Sequence, residues 1–235
     1  MKKGMTLIAI VAALALAGSA TADSLAVNAT AAMGGTNFGL QVNHNNTSAS
    51  YVQDNTPALE SVYRFDFLFN VASMTGQTSN FRQEIVRILG SNPNPGVGVC
   101  PVDPASLIGT IRVWLYQTGG GGANPSIQLW AKGNQCGDRG TLRIPISYNT
   151  DYRVCVEWQE GDAANTNGGV AVVAAGSACP TSGDPAWTYM TATLNSNNND
   201  VDILRMGTPS TNAFGAGETG VLYFDEFASY RTLTP

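Results

Sequence analysis

Short segments in which apolar and polar residues alternate recur along most of the chain. Between Tyr63 and Val71 every odd position is apolar, with Arg64, Asp66 and Asn70 among the residues between them. Side chains of a β-strand point alternately to the two sides of the sheet, so this segment predicts a strand with one apolar face and one mostly polar face. No segment after residue 25 keeps the 3.6-residue period of an amphipathic helix.

The pattern predicts about a dozen short strands. They are Phe38–His44, Ser50–Gln53, Tyr63–Val71, Phe81–Leu89, Ile111–Gln117, Ser126–Lys132, Thr141–Ile146, Tyr152–Gln159, Gly169–Ala175, Thr188–Leu194, Val201–Met206 and Gly220–Tyr230. Phe81–Leu89 alternates less regularly, but its β-branched and aromatic residues favour a strand. Gly, Asn, Pro and Ser clusters separate the segments. The chain therefore predicts an all-β, antiparallel two-sheet β-sandwich.

Residues 1–22 are predicted to be a secretory signal peptide. Lys2 and Lys3 precede an apolar run from Met5 to Ala17, and Ala20-Thr21-Ala22 fits a small-x-small cleavage pattern, so we expect cleavage before Asp23. The run is too short for a comfortable membrane span. We expect one domain over residues 23–235, located outside the cytoplasm (secreted, periplasmic or at the cell surface) and without a transmembrane anchor.

A second interpretation of the N-terminus remains open. The segment Lys3-Gly4-Met5-Thr6-Leu7-Ile8 resembles the processing site of a type IV pilin. The resemblance departs at Ala9, where pilins usually carry Glu. Pilins also continue into a long helix, whereas the helical period of this chain stops near Gly18.

The charge balance argues against nucleic acid as a partner. Charged residues make up 12% of the chain, about half the usual share. After signal removal, ten basic residues face 17 acidic ones, which gives a net charge of −7. Such an acidic chain is not expected to bind nucleic acid by neutralising phosphates. A weakly charged polar surface is compatible with self-association.

The four cysteines are Cys100, Cys136, Cys155 and Cys179. They are even in number and widely spaced, and no Cys-x-x-Cys pair occurs, so two disulfides in an oxidising compartment are expected. Three connectivities are open. Pairing of Cys100 with Cys136 and of Cys155 with Cys179 is favoured because these loops are the shorter ones to close.

The sequence lacks the residue patterns that several kinds of catalysis require. Ser–His–Asp or Cys–His catalysis needs a histidine, and the single one, His44, falls in a polar Asn-rich turn where we expect it to be solvated. No Gly-x-Ser-x-Gly elbow occurs. Glycoside hydrolysis needs two positioned carboxylates. Asp225 and Glu226 are adjacent and point to opposite faces, so we expect no hydrolase unless carboxylates from different strands combine.

An aromatic hairpin is the most informative pattern. The polar faces of Ile111–Gln117 and Ser126–Lys132 carry Arg112, Trp114, Tyr116, Gln128, Trp130 and Lys132. A register that places Trp114 opposite Trp130 also matches the two apolar faces. Flat rings beside polar side chains suit a sugar ring, so Trp114, Tyr116, Trp130, Arg112 and Gln128 are predicted to bind ligand. Ordinary cross-strand packing of the aromatics is the alternative.

Calcium is the cofactor for which the sequence contains candidate ligands. Asp200 and Asp202 follow an Asn-rich stretch, and amide and carboxylate oxygens are what Ca²⁺ prefers. The alternative is a solvated turn whose Asn residues adopt left-handed angles. Asp225 lies between Tyr223 and Phe227 on its strand face, where a carboxylate needs either a cation or hydrogen bonds from backbone amides.

Four stretches resemble the concanavalin A-like, laminin-G-like (LamG-like) jelly rolls. They are Gly39–Val42 followed by Ser50–Val52 (similar to the opening hairpin), Asp151–Trp158 (the central strand), Gly169–Gly176, and Gly220–Phe227 (the closing strand). The resemblance implies an exported jelly roll. Many members bind glycans or calcium, some are hydrolases, and the last strand of many such modules carries a calcium ligand, here Asp225. A shared fold does not transfer those activities.

We therefore predict an exported, non-catalytic binding module whose ligand is an extracellular glycan. A structural or adhesive subunit of the cell surface, which contacts other surface components, is the alternative. An enzyme with an unrecognised carboxylate pair ranks last.

Overall fold

The computed structural model describes residues 23–45, 48–75, 81–90, 108–117, 124–132, 138–140, 143–161, 169–189, 200–210 and 219–233. Its strands are β1 (Ser24–Asn28), β2 (Gly39–His44), β3 (Ser50–Asp54), β4 (Val62–Thr75), β5 (Phe81–Gly90), β6 (Ile108–Gln117), β7 (Ser126–Lys132), β8 (Asp138–Gly140), β9 (Ile144–Pro145), β10 (Tyr152–Gln159), β11 (Val170–Gly176), β12 (Thr188–Tyr189), β13 (Ile203–Thr208) and β14 (Thr219–Tyr230). A short 3₁₀ turn, Ala29–Ala31, follows β1.

The strands form two antiparallel sheets that pack face to face. Sheet A has the order β1-β2-β14-β4-β10-β11-β12. Sheet B has the order β3-β13-β5-β6-β7-β8, and β9 also pairs with β7. The predicted all-β sandwich is confirmed. No helix in the described ranges has the length and apolar character needed to cross a membrane.

The core lies between the sheets and follows the alternation of the sequence. On β4, the side chains of Tyr63, Phe65, Phe67 and Phe69 are fully buried, and Phe224 of β14 contacts Phe67 and Phe69. Complete burial of one such side chain contributes about 1.5–3 kcal/mol. This aromatic seam accounts for the strict period of two that predicted β4.

The structure corrects several local predictions. β2 and β3 resemble an opening hairpin in sequence but lie in different sheets, since β2 pairs with β1 and β14 in sheet A and β3 pairs with β13 in sheet B. The sequence pattern also missed β1 and β8, which are short edge strands. Residues 1–22 lie outside the described residues, so the signal peptide and the single domain over 23–235 stay predictions.

One predicted disulfide is confirmed. Cys155 and Cys179 are bonded, with their Cα atoms 5.6 Å apart. The bond ties the segment after β11 to the outer face of sheet A, where Trp187 packs on Cys155, Val172 and Ala174. Cys100 and Cys136 lie outside the described residues, so their pairing stays a prediction.

Candidate functional site

The predicted aromatic residues lie on the outer face of sheet B, although their register differs from the prediction. Trp114 is opposite Gln128, and Arg112 is opposite Trp130. The predicted pairing of Trp114 with Trp130 is therefore wrong by two residues. A shift of two keeps every side chain on its own face, so the alternation of apolar residues could not distinguish the two registers.

The two indoles do not form the open platform that the sequence suggested. Trp114 is only 3% exposed, whereas Trp130 is half-buried. Their ring centroids are 6.1 Å apart. The guanidinium carbon of Arg82, on β5, lies 4.4 Å from the Trp114 ring centroid and 4.5 Å from that of Trp130. One cation therefore packs on both rings, in the range of a cation–π contact.

Three arginines form a row across the middle of the same face. Arg205 of β13 is opposite Arg87 of β5, and Arg87 is opposite Arg112 of β6. We call these residues the arginine row. Like charges directly opposite each other destabilise a sheet. Three arginines at paired positions therefore concentrate positive charge on this face and need anionic partners.

A buried carboxylate lies within the arginine row. Glu84 is fully buried, and Nε of Arg87 donates to both of its carboxylate oxygens, at 3.1 and 3.0 Å. Nε of Arg112 lies 3.6 Å from Oε1 of Glu84. The single negative charge of Glu84 thus lies close to two cations. The Arg87 and Arg112 side chains keep 22% and 23% of their surface exposed.

The alternation of apolar and polar residues did not indicate Arg82, Glu84, Arg87 or Arg205 as site residues. In a regular strand Glu84 and Arg87, three positions apart, would point to opposite faces. A β-bulge between Glu84 and Val86 inserts one residue and returns both side chains to the outer face. The irregular alternation of Phe81–Leu89 was the signal of this bulge.

Two tyrosines accompany the cations. The Arg205 guanidinium carbon lies 4.8 Å from the ring centroid of Tyr51, and that of Arg143 lies 3.4 Å from the ring centroid of Tyr116. Nε of Arg205 also donates to Oε1 of Gln53, at 2.8 Å. Tyr51 and Gln53 belong to the edge strand β3 and are partly accessible or exposed.

The face is positively charged although the protein is acidic. Six of the ten Lys and Arg residues between positions 23 and 235 lie on it or beside it: Arg82, Arg87, Arg112, Lys132, Arg143 and Arg205. Segregation of one sign of charge on one face attracts ligands of the opposite sign. The arrangement suits an extended polyanion whose rings can also contact aromatic side chains.

His44 is not the solvated loop residue that the sequence predicted. It is 2% exposed, and its Nδ1 lies 2.9 Å from Oδ2 of Asp23. Asp23 also accepts hydrogen bonds from the Asn45 amide and the Thr208 hydroxyl, at 2.8 and 2.9 Å. The Asn-rich surroundings hid this burial because the partners of His44 are far away in sequence.

The candidate calcium ligands lie in two separate places. The carboxylate of Asp225 accepts hydrogen bonds from the backbone amides of Met33 and Glu226, both at 2.7 Å, and from the Thr36 hydroxyl. Asp202 accepts one from the Leu59 amide at 2.8 Å. Asp200 is buried.

Within the described ranges, no group of three or more His, Cys, Asp or Glu residues has the arrangement of a metal site. The backbone-amide alternative therefore describes the present partners of Asp225, and calcium binding stays a prediction.

Known proteins share the fold of this chain but have little sequence similarity to it. No protein-family model matches the sequence, and no curated protein matches it. Several solved structures share the fold. The alginate lyase Aly36B, in a mutant complex with an alginate tetrasaccharide, matches with a TM-score of 0.51 and 12% identity over 84% of this chain and 82% of the other.

Two further structures match equally well in fold. The alginate lyase vAL-1 from Chlorella virus has a TM-score of 0.51 and 7% identity over 88% of each chain. The cellulose induced protein Cip1 has a TM-score of 0.51 and 10% identity, covering 90% of this chain and 87% of the other. At these identities the likeness shows the fold alone. The chain shares the jelly-roll β-sandwich fold of these proteins.

These comparisons contradict the predicted function. The expected non-catalytic module, with a structural subunit as its alternative, is wrong because the structures that share this fold include several alginate lyases, which are enzymes that degrade a polysaccharide. The exclusion of an enzyme rested on missing histidine and carboxylate patterns. Those patterns describe hydrolases and triad enzymes, and they do not describe an eliminative cleavage.

Proposed function

We propose that the protein is a polysaccharide lyase that cleaves a uronate-containing polysaccharide on the outer face of sheet B. The observation that carries the proposal is the arginine row, Arg205–Arg87–Arg112, supported by buried Glu84 and next to Tyr51. Glycan binding by Trp114, Tyr116, Trp130, Arg112 and Gln128 belongs to the same proposal, since these residues lie on the same face.

The chemistry of elimination matches these side chains. A base removes the proton on the carbon next to the sugar carboxylate (C5), the electron pair forms a C4=C5 double bond, and the C4–O bond of the glycosidic link breaks. The departing oxygen takes up a proton, and no water is consumed. Negative charge accumulates on the carboxylate during proton removal, and guanidinium groups placed against it lower the barrier.

We assign the neutralising role to Arg87 and Arg112. Both are accessible and are held by the shared Glu84 carboxylate, and a planar guanidinium binds a carboxylate with two parallel hydrogen bonds. Tyr51 is assigned to proton transfer, because its ring contacts Arg205 at the end of the arginine row and tyrosine serves as a general acid or base in enzymes.

Hydrolysis fits the face less well. It requires a pair of carboxylates on either side of the bond to be cleaved. Glu84 is fully buried and binds Arg87 through both oxygens, so it is not in a position to act as a general acid. This distinction favours elimination among the reactions that cleave polysaccharides.

Export and the finer family assignment belong to the same proposal. A polysaccharide outside the cell is reached only by an exported enzyme, which agrees with the predicted signal peptide and with a disulfide at Cys155–Cys179. The LamG-like character of the closing strand is proposed on its sequence resemblance. Binding to cell-surface components and self-association stay predictions.

The test is cleavage of defined polymers by the purified full-length protein. Alginate and polygalacturonate serve as uronate substrates, while cellulose and carboxyl-reduced alginate serve as neutral controls. Elimination creates a double bond conjugated to the carboxylate, which absorbs in the ultraviolet. We expect this absorbance to increase with at least one uronate polymer and with neither control.

Variants locate the activity on the face. We expect Arg87→Gln and Tyr51→Phe each to lower kcat by about 100-fold or more, as loss of a charge-stabilising or proton-transfer group does. The matched control is Arg64→Gln, since Arg64 packs on the Tyr230 ring at 4.0 Å on the outer face of sheet A. New reducing ends without the absorbance, or no cleavage of any polymer, would overturn the proposal.

A further inference from the structure

Strand β1 is a sheet edge that lacks the usual protection against pairing with another strand. Within the described ranges it pairs only with β2, from Ser24 to Asn28 and without a register shift. Its sequence, Ser-Leu-Ala-Val-Asn, contains no charge and no proline. Natural edge strands usually carry a charge, a proline or a bulge, or are very short, because an open row of backbone N–H and C=O groups readily pairs with another strand.

The edge strands at the other borders of the two sheets, in the described part of the chain, carry such protection. At the far border of sheet A, β12 has two residues. In sheet B, β8 has three residues, which include Asp138 and Arg139, and β3 ends in Asp54. The β1 edge is therefore the one that this protein leaves most open to a second strand.

Exposed apolar side chains lie beside the same edge. Val27 is 72% exposed, although Leu40 opposite to it packs on the core. Phe38, which precedes β2, is 62% exposed, and Val52 of β3, the strand of sheet B that neighbours β1, is exposed as well. They are three of the five exposed large hydrophobic side chains among the described residues. Single exposed apolar residues are ordinary, but a group of them marks an interaction surface.

The β1 edge is complementary to itself about Ala26. In an antiparallel pair of two β1 strands centred on this residue, Leu25 lies opposite Val27 of the second copy, and Ser24 lies opposite Asn28 of the second copy. Because side chains alternate between the two faces, both apolar pairs lie on the core side and both polar pairs lie on the outer side. This register therefore matches every position of the strand with one of the same character.

Polar side chains already form a row of hydrogen bonds on the outer side of this edge. Nδ2 of Asn43 donates to Oγ of Ser24 at 3.1 Å, and Nδ2 of Asn28 donates to Oε1 of Gln41 at 2.8 Å. An amide nitrogen has a second hydrogen, and the Ser24 hydroxyl also has a hydrogen to donate. Ser24 of one copy and Asn28 of the other can therefore extend the row across a pair of β1 strands.

We propose that β1 binds the β1 strand of a second copy of this chain, in an antiparallel dimer whose two-fold axis passes through Ala26. A closed two-fold interface uses the same surface on both partners, as this symmetric edge does. Because opposite residues of paired strands share a face, both copies keep their sheet B on the same side of the joined sheet. The two arginine rows then face the same direction, and one extended polyanion is able to contact both.

Sedimentation equilibrium of the purified protein measures this association over concentrations from about 10 to 500 µM. A five-residue strand edge is smaller than the roughly 800 Å² that each partner contributes to a standard interface. We therefore expect a weak dimer with a Kd on the order of 100 µM. A monomer at every concentration in this range would overturn the proposal.

Charge substitutions at Ala26 identify the interface. Ala26 is exposed and would lie opposite itself, so Ala26→Lys and Ala26→Glu each oppose two like charges and should raise the Kd about five-fold or more. An equimolar mixture of the two variants opposes unlike charges and should dimerise at least as well as the wild type, which also shows that both variants are folded. Ala178→Lys, at an exposed position after β11, is the matched control and should leave the Kd unchanged. Wild-type association in Ala26→Lys, or no recovery in the mixture, would refute this interface.

Cysteine cross-linking checks the geometry independently. Opposite residues of antiparallel strands have Cα atoms about 4.5–5.5 Å apart, which suits a disulfide, so oxidation of Ala26→Cys should give a covalent dimer. Ser24 is exposed on the same strand, but its two copies would be about 14 Å apart, so Ser24→Cys should not cross-link. Equal cross-linking at both positions would contradict the register. The ultraviolet assay of elimination tests the proposed function separately, because the dimer does not depend on lyase activity.

Discussion

The imidazole of His44 and the carboxylate of Asp23 form a buried pair that joins the two sheets. His44 ends β2 of sheet A, its Nδ1 lies 2.9 Å from Asp23 Oδ2, and both side chains are 1% exposed. The Thr208 hydroxyl, at the end of β13 in sheet B, donates to the same Asp23 oxygen at 2.9 Å. One carboxylate therefore receives donors from both layers of the sandwich.

Loss of this carboxylate should be strongly destabilising. Asp23→Ala removes the acceptor of the His44 ring nitrogen and of the Asn45 amide in a buried site, and each buried donor left unsatisfied costs about 1–3 kcal/mol, so a loss of about 2–6 kcal/mol is expected. Urea denaturation of the variant should show a loss of that size. Asp54→Ala is the control, since the carboxylate of Asp54 accepts an exposed local hydrogen bond from the Thr56 amide at 2.8 Å. A loss no larger than that of Asp54→Ala would show that the pair does not join the sheets.

Acid should weaken the same pair. Burial by itself would raise the pKa of Asp23, but hydrogen bonds from His44 and the Asn45 amide, the charge of His44 and the Thr208 hydroxyl outweigh it and hold the pKa below its ordinary value of 3.8. A lowered pKa stabilises the fold above the unfolded value and loses this contribution as pH falls through the folded one. Below pH 3.8, the melting temperature of the wild type should therefore fall more steeply with decreasing pH than that of Asp23→Asn.

Glu160 should make the fold less stable as the pH rises, whereas Asp23 makes it less stable as the pH falls. Burial, and then the nearby charge of Asp200, raises the pKa of Glu160 from 4.5 to about 7. A carboxyl whose pKa is raised by folding favours the native state while it is protonated, so this contribution is lost as pH rises from about 4.5 to 7. Glu160→Gln should melt at a higher temperature than the wild type at pH 8 and at the same temperature at pH 4. Equal melting temperatures at both pH values would contradict the assignment.

The disulfide should stabilise the segment over sheet A. Cys155 and Cys179 are 24 residues apart, and closing a loop of that size contributes about 3 kcal/mol. A Cys155→Ala/Cys179→Ala double variant should lose about that amount in urea denaturation. Hydrogen exchange should increase first around Trp187, which packs on Cys155, while β4 in the core stays protected. Uniform loss of protection would indicate that the bond supports the whole sandwich instead.

Two glycines provide a matched test of backbone packing. A Cβ atom added to Gly90 would lie 1.5 Å from the carbonyl oxygen of Asp200, so β5 and the segment before β13 would have to separate. At Gly176 the nearest atom to an added Cβ is the Ala178 oxygen at 3.8 Å. Gly90→Ala should lose about 3 kcal/mol, the upper range for overpacking, whereas Gly176→Ala should stay within about 1 kcal/mol of the wild type. Similar losses in the two variants would refute this contact.

The local alternation of residues was enough to predict most of the strands and the faces of the regular ones. Trp158 and the aromatic residues of β4 lie in the core as the period of two requires. Cys155 lies on the other face, where it ties down a covering segment. Successive side chains of a strand point to opposite faces of the sheet, so burial of one face requires apolar residues at every second position. This requirement can be recognised from the residues of one strand alone.

Only the tertiary structure decided which residues meet at the candidate site. Arg205 comes from a strand far along the chain from those of Arg87 and Arg112, and the β-bulge at Glu84 and Val86 could not be placed from the pattern. The burial of His44 depended equally on residues from the far ends of the chain. Pairing across strands depends on how the whole chain packs, whereas alternation within one strand depends on the backbone alone.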